Sequence, residues 1–209
     1  MKLALFTIGC KVNQYETEAI AERLEALGFE RVDFKDKADV YVINTCTVTG
    51  ESDRSSRQAI YRAKRRSPDA KIIVTGCYAQ LEKEFLKSLP GVNMVVKQEE
   101  KGKLASLIAR LMGQGVRVRE GDEDFFGFRV RGLANHTRAL VKIQDGCEKN
   151  CAYCVVPFAR GKERSREEGE IISEINDLVE NGYKEVVLTG VHVGRYNRDE
   201  GGANEIQLH

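Results

Sequence analysis

The chain has 209 residues, 42% hydrophobic and 31% charged, with a formal net charge of +1; it can bury a core and is too balanced for a disordered or strongly polyanion-seeking protein. The N-terminal apolar run is too short for a signal peptide and no stretch approaches about eighteen consecutive apolar residues, so a spanning helix is excluded and the cytoplasm is the expected location. Six cysteines, three in each half of the chain, suit metal ligation in a reducing compartment better than disulfides.

Strand-like runs alternate with helical patterns, as in βαβ units around a parallel sheet. The first run, Leu3-Ala-Leu-Phe-Thr-Ile-Gly-Cys10, closes on a cysteine. Asn13 reads as the N-cap of the next helix, with Glu16 three residues on, and Ile20, Leu24 and Leu27 share a face before Gly28 ends it. A helix N-terminus, whose amides favour negative charge, then stands beside the Cys10 thiol. The second run, Val40-Tyr-Val-Ile-Asn-Thr-Cys46, leads through Thr47-Val-Thr-Gly-Glu-Ser-Asp to a helix carrying Arg54, Arg57, Arg62, Lys64, Arg65 and Arg66, ending near Pro68. Such a charge run is either a solvated face or a phosphate contact. The third, Ile72-Ile-Val-Thr-Gly-Cys77, precedes a helix expected over Leu81 to Leu89 and a short strand at Met94-Val-Val-Lys97. Leu104, Leu107, Ile108 and Leu111 then repeat at helical spacing. Cys10, Cys46 and Cys77 end three equivalent units. Strand C-termini of a parallel sheet share one edge, so the three thiols can converge as a cluster; taken singly, each reads as a small buried hydrophobe.

Glycines, charges and Phe125-Phe-Gly-Phe-Arg-Val-Arg131 mark an interdomain connection, whose aromatics beside Arg129 and Arg131 either stack RNA bases or pack on the next domain. Ala139-Leu-Val-Lys-Ile-Gln144 is a strand, and a C-x3-C-x2-C loop follows at Cys147, Cys151 and Cys154. Three thiolates can hold three irons of a cubane and leave the fourth open to a chelating small molecule, whereas a structural zinc would want a second ligand pair that is not nearby. Ile171, Ile175, Leu178 and Val179 mark an amphipathic helix ended by Asn181-Gly182, and Glu185-Val-Val-Leu-Thr-Gly190 is the next strand. Strand, metal loop, helix and strand open a (βα) barrel, whose active site lies at the strand C-termini.

Cys147-x3-Cys151-Ala-Tyr-Cys154 resembles the cluster loop of radical S-adenosylmethionine enzymes. Further motifs are Gly9-Cys-Lys-Val-Asn-Gln-Tyr-Glu16, Asn44-Thr-Cys-Thr-Val-Thr49, Thr75-Gly-Cys-Tyr-Ala-Gln80 and Pro157-Phe-Ala-Arg-Gly-Lys-Glu-Arg-Ser-Arg166. With them the chain, from residue 1 to about residue 198, resembles the tRNA methylthiotransferases. The wording is most similar to the subgroup acting on N6-threonylcarbamoyladenosine beside the anticodon.

The resemblance implies an α/β fold: an N-terminal parallel-sheet βαβ domain over residues 1–113, a linker over 114–135, and the first part of a radical-SAM (βα) partial barrel over 136–209. It implies two 4Fe-4S clusters and S-adenosylmethionine as cofactors. Cys10, Cys46 and Cys77 would bind the auxiliary cluster, which holds the sulfur destined for C2 of the adenine; a second cofactor molecule would supply the methyl group. Cys147, Cys151 and Cys154 would bind the cluster that cleaves the cofactor to a 5′-deoxyadenosyl radical. Tyr153 would lie against the cofactor's adenine or serve as packing. Arg160, Lys162, Arg164 and Arg166 would contact tRNA phosphates, or pair with Glu163, Glu167 and Glu168 at a helix entry. His192 would face the cofactor or be a plain loop residue. The implied partners are a tRNA substrate and a reducing protein such as flavodoxin or ferredoxin, with no membrane. The alternatives are methylthiolation of isopentenyladenosine tRNA or of a ribosomal protein, another radical reaction, or a non-catalytic iron-sulfur or RNA-binding module. Family members continue through more βα units and an RNA-binding β-barrel, whereas this chain stops after the second barrel strand with Gly201-Gly-Ala-Asn-Glu-Ile-Gln-Leu-His209. The expectation is a fragment: a complete N-terminal domain and the start of the catalytic one.

Overall fold

The computed structural model describes residues 1–114, 129–132 and 137–197. The aromatic cluster at 125–128, most of the expected linker and the tail from 198 onward therefore lie outside the described residues. The chain divides into two compact units, residues 1–129 and 130–209.

The first unit runs β1 (Lys2–Thr7), α1 (Lys11–Ala26), β2 (Glu30–Val32), β3 (Val40–Thr45), α2 (Gly50–Arg66), β4 (Lys71–Gly76), α3 (Cys77–Leu81), α4 (Lys83–Ser88) and β5 (Val92–Val95), then a 3-10 turn (Gln98–Lys103) and α5 (Leu104–Leu111). Its sheet has the order β2-β1-β3-β4-β5, with every neighbouring pair parallel. All of β3 is buried, because helices cover both faces of such a sheet and leave no polar side to its central strand. Tyr41 and Ile43 of β3 and Ile72 and Val74 of β4 pack with Ala59, Ile60 and Ala63 of α2 and Leu86 of α4. The alternate positions Val40, Val42 and Ile73, equally buried, point to the opposite face, where α1 and α5 lie against each other. Each such aliphatic side chain contributes about 1.5–3 kcal/mol on burial.

Two local expectations are corrected. Cys10, not Asn13, is the N-cap of α1, and no side chain caps it. Asn13 is fully buried and donates to the carbonyls of Ile8 (2.7 Å) and Thr45 (3.1 Å), which satisfy its amide better than a helix end open to water. The helix expected from Leu81 begins earlier, at Cys77, and breaks at Glu82 into α3 and α4. Gly76 is the cause: its φ of +100° turns the chain straight from β4 into the helix, a conformation that a Cβ would oppose. The last strand of the sheet likewise lies slightly earlier than its apolar run suggests, at Val92–Val95.

The second unit contains β6 (Ala139–Lys142), β7 (Gln144–Asp145), α6 (Val156–Arg160), β8 (Arg164–Ser165), α7 (Glu168–Glu180) and β9 (Val186–Thr189). β6 and β9 are parallel neighbours. α7 supplies Ile171 and Leu178 to a core with Ala139, Val141 and Ile143. This is the strand–helix–strand unit read from the sequence. The antiparallel ladder of β7 and β8, with Gln144 opposite Ser165 and Asp145 opposite Arg164, was not; it clasps the ends of the cysteine loop. No helix among the described residues is long and apolar enough to cross a membrane.

Candidate metal centres

In the first unit, β1, β3 and β4 are adjacent, and Cys10, Cys46 and Cys77 follow their C-terminal ends. The three thiols therefore share one edge of the sheet. Cys10 is exposed at the start of α1, while Cys46 and Cys77 are 5% and 7% exposed, and none of the three is in a disulfide. The backbone before Cys10 packs closely on Cys46. Gly9 has φ +107°, and a Cβ there would come within 2.9 Å of Cys46 Sγ, so glycine keeps that space open. Gln98 Nε2 donates to Cys77 Sγ at 3.7 Å, and Gln98 Oε1 is buried without a hydrogen-bond partner.

Beneath this edge lies a polar network that the sequence reading missed. Asn44 Nδ2 donates to Asn13 O (3.0 Å) and Thr17 Oγ1 (3.1 Å). Lys101, from the 3-10 turn, reaches Glu16 Oε2 at 2.6 Å and Asn44 Oδ1 at 3.4 Å; the Lys101 and Glu16 side chains are 2% and 1% exposed. In the sequence Lys101 sits within Gln98-Glu-Glu-Lys-Gly-Lys103 and looks like solvated charge. The available signal was Asn44, a polar residue after the apolar run Val40-Tyr-Val-Ile43 of a fully buried strand.

In the second unit, Cys147 and Cys154 are half-buried and Cys151 is exposed, all free. The Cys154 N–H returns to Cys151 O and the Cys151 N–H to Lys149 O, both at 2.9 Å, while the Cys147 N–H is held by Gly161 O at 3.1 Å. Gly146 has φ +76°, and a Cβ there would collide with the Lys162 and Gly161 backbone. Only glycine lets the two stems of the loop approach this closely. Asp145, fully buried, accepts from Lys142 Nζ at 2.7 Å, from Arg160 at 2.9 Å and from the Gly146 N–H at 2.7 Å, pinning the loop at its root.

That arrangement corrects the assignment of Arg160 and Arg166 to tRNA phosphates. Arg160 is 4% exposed and tied to Asp145; Arg166 is 2% exposed and tied to Glu174 and Glu170. Their pairing with acids is as the alternative had it, but with different acids, because the two chain stems fold inward. Lys162 is exposed, and Arg164 is half-buried with its guanidinium near Arg160 O. Tyr153 is 92% exposed and leaves its ring open.

His192 is drawn beside the cluster loop. Its backbone N–H donates to Gln144 Oε1 at 2.8 Å, and its Nδ1 lies 3.9 Å from Cys147 Sγ and 4.0 Å from Glu163 Oε1. Burial pushes the Glu163 carboxyl up, but its hydrogen bond to Arg195, the Glu148 N–H and the charges of Arg195 and His192 outweigh that and hold it below the ordinary carboxylate range. Arg195 was not read as a site residue because only the turn after β9 brings it to the loop; Gln144 and Glu163 stand on the loop's own stems, where the β7–β8 pairing rather than any sequence spacing sets them together.

One zinc holds thiolates at about 2.3 Å and so draws their sulfurs close together. Among the described residues, the only group of three ligand atoms within 4.8 Å of one another is Cys147, Glu163 and His192, and Glu163 is already engaged by Arg195 at 2.8 Å. Neither cysteine triad closes to that spacing. Three soft sulfur donors in each set are the ligand type of polynuclear iron-sulfur clusters.

Residues 2–97 match the family model "Uncharacterized protein family UPF0004", and residues 141–203 match "Radical SAM superfamily". The threonylcarbamoyladenosine tRNA methylthiotransferase MtaB of Bacillus subtilis is 45% identical over 203 residues, covering 94% of this chain and 45% of that protein. The protein of the same name from Aquifex aeolicus is 42% identical, with 96% and 50% covered. The tRNA-2-methylthio-N(6)-dimethylallyladenosine synthase of Clostridium novyi is 35% identical, with 92% and 44% covered. The chain thus spans about half the length of the curated relatives it matches. Among solved structures, the radical S-adenosylmethionine methyltransferase TsrM from Kitasatospora setae, with cobalamin and a [4Fe-4S] cluster bound, shares the fold. Its TM-score is 0.60 at 16% identity, covering 92% of this chain and 48% of that one. With its UPF0004 region followed by a radical SAM region, the chain belongs to the radical S-adenosylmethionine methylthiotransferase family.

Proposed function

We propose that the polypeptide methylthiolates tRNA at C2 of N6-threonylcarbamoyladenosine next to the anticodon. The observation that carries the reading is the convergence of Cys10, Cys46 and Cys77 at the ends of three adjacent parallel strands, in one chain with a separately clasped three-cysteine loop. The relatives' names supply the tRNA substrate. Identity of 45% to the threonylcarbamoyladenosine enzyme against 35% to the dimethylallyladenosine enzyme favours the former base.

In this reading Cys10, Cys46 and Cys77 hold one 4Fe-4S cluster, and Cys147, Cys151 and Cys154 hold the other. When bound, the second cluster with S-adenosylmethionine supplies a 5′-deoxyadenosyl radical on reduction by a flavodoxin- or ferredoxin-like protein, and the first supplies sulfur. The chain's own residues hold and orient. Asp145, Lys142 and Arg160 fix the root of the loop, Gln144 ties His192 beside Cys147, and the exposed ring of Tyr153 would lie against the cofactor's adenine. Lys162, exposed, and Arg164, half-buried, would face substrate phosphates. The setting is the cytoplasm, where tRNA is found and thiols stay reduced.

The test is iron and acid-labile sulfide per chain after anaerobic reconstitution, for the unsubstituted protein and for the Cys10→Ala, Cys46→Ala, Cys77→Ala variant. About eight irons falling to about four is the expected result. Four irons in both returns the N-terminal thiols to packing and removes the methylthiotransferase reading. Methylthio groups appearing on tRNA that lacks the threonylcarbamoyl group would overturn the choice of base.

A further inference from the structure

The exposed face of α2 is the feature that the cluster chemistry does not use. α2 is Gly50-Glu-Ser-Asp-Arg-Ser-Ser-Arg-Gln-Ala-Ile-Tyr-Arg-Ala-Lys-Arg-Arg66, with no acidic residue after Asp53. At about 100° per residue, Ser56, Ala59, Ile60 and Ala63 form one side of the helix, and these are its buried residues. Arg54, Gln58, Tyr61, Arg62 and Arg65 occupy the other side and are all exposed. Among the described residues, no hydrogen bond or ion pair engages the guanidiniums of Arg54, Arg62 and Arg65. A solvated structural helix ordinarily places acids three or four residues from its bases. α2 has one such pair on this face, Glu51 with Arg54, and none for Arg62 or Arg65; α1 is its opposite in charge, with Glu16, Glu18, Glu22 and Glu25 against Lys11 and Arg23, and its Glu18 is used by Arg31 at 2.5 Å. The charges of this unit are segregated by helix, although the chain's net charge is only +1.

Position gives the segregation a purpose. α2 follows Cys46 by a short loop, and the Thr49 side chain caps it by accepting the Ser52 N–H at 3.2 Å. Its first turn therefore lies at the sheet edge that carries the three cysteines. Arg57 reinforces the link by donating to the hydroxyl of Tyr78, the neighbour of Cys77, at 2.8 Å. From Arg54 to Arg65 the basic track is about 16 Å long, enough to follow several phosphates of one strand. Tyr61, 39% exposed in its middle, offers a ring for a base.

We propose that this face, Arg54, Gln58, Tyr61, Arg62 and Arg65, is a docking surface for the RNA backbone, leading the strand toward the cysteine edge of the same unit. The proposal rests on the tRNA reading above and names where on this unit the RNA is held.

The test is fluorescence anisotropy of labelled unmodified tRNA with the whole chain, titrated from 50 to 300 mM salt. One variant carries Arg54→Gln, Arg62→Gln and Arg65→Gln; a control carries Lys87→Gln, Arg110→Gln and Lys184→Gln, the same charge change at exposed positions on other elements. These side chains lie opposite the buried face and glutamine is a good helix former, so circular dichroism should be unchanged in both. The α2 variant should bind about ten- to a hundredfold more weakly near 100 mM salt, and its log K against log salt slope should flatten by about two, as expected for three lost phosphate contacts. The control should change little. Equal losses in both variants, an unchanged slope, or no binding by the unsubstituted chain at 50 mM salt would overturn the proposal. So would a variant that keeps its tRNA affinity but loses reduction by flavodoxin, since the face would then belong to an acidic protein. The two readings fail separately: an unsubstituted chain that binds tRNA through α2 but takes up only four irons sinks the enzyme reading alone, and the converse sinks this one.

Discussion

Replacing Lys101 by Ala tests whether the network beneath the N-terminal cysteines is a compensated pair of buried charges. Lys101 and Glu16 are 85 positions apart, 2.6 Å in contact, and 2% and 1% exposed. Removing the cation leaves a carboxylate in a place without water, and breaking such a pair costs about 3–5 kcal/mol. With a urea m-value of about 2 kcal/mol per molar for a unit of this size, the unfolding midpoint of the first unit should fall by roughly 1.5–2.5 M, read by circular dichroism. The double variant Lys101→Met, Glu16→Leu discards both charges while keeping volume, and should recover most of the stability. Lys101→Ala costing under about 1 kcal/mol, or a double variant no better than the single, would refute the argument. Glu16 lies on the helix capped by Cys10, and Asn44, also reached by Lys101, lies just before Cys46; the single variant should therefore also retain less iron at that edge.

Gln98→Ala removes the N–H donor 3.7 Å from Cys77 Sγ. A donor favours the more negative, reduced state, so the potential of the N-terminal cluster should fall by roughly tens of millivolts in an EPR-monitored titration; an unmoved potential would mean that the amide does not act on the sulfur. Gly146→Ala forces a Cβ into the Lys162 backbone at φ +76°. Reconstituted protein should then lose the C-terminal cluster and keep the N-terminal one, about half the iron, and full iron content would contradict the clasp. Asp145→Asn leaves the Lys142 and Arg160 side chains, each 2% exposed, facing a neutral amide. The second unit should lose about 3–5 kcal/mol while the first keeps its urea midpoint; an unchanged second transition would show that the triad is not a buried ionic cluster.

What could be read in advance divides along a physical line. The cysteines, the βαβ alternation and the basic helix were legible because each is local: a strand's apolar run, a helix's 3.6-residue repeat and a C-x3-C-x2-C spacing are all written within a few consecutive residues. Even the convergence of Cys10, Cys46 and Cys77 followed from a local rule, since parallel strands share their C-terminal edge. Misreadings arose where a residue had a distant partner. Asn13 satisfies every local criterion of a cap, yet its amide is spent on Thr45, on a neighbouring strand. Arg160 and Arg166 look like a phosphate-seeking run with Lys162 and Arg164 until the β7–β8 clasp turns them inward to Asp145 and Glu174.

By itself, the order of residues determined the α/β class, the positions of the six sulfurs along the chain and the chemistry those sulfurs can hold. The tertiary structure alone decided which charges are buried and which face water. Lys101 finds Glu16 across 85 positions, and His192 finds Cys147 across 45. A charge's worth depends on its dielectric surroundings and its partner, and both are set by elements that meet only when the sheet assembles. The same dependence leaves Arg54, Arg62 and Arg65 on the outside of α2 while equally basic neighbours are drawn inward.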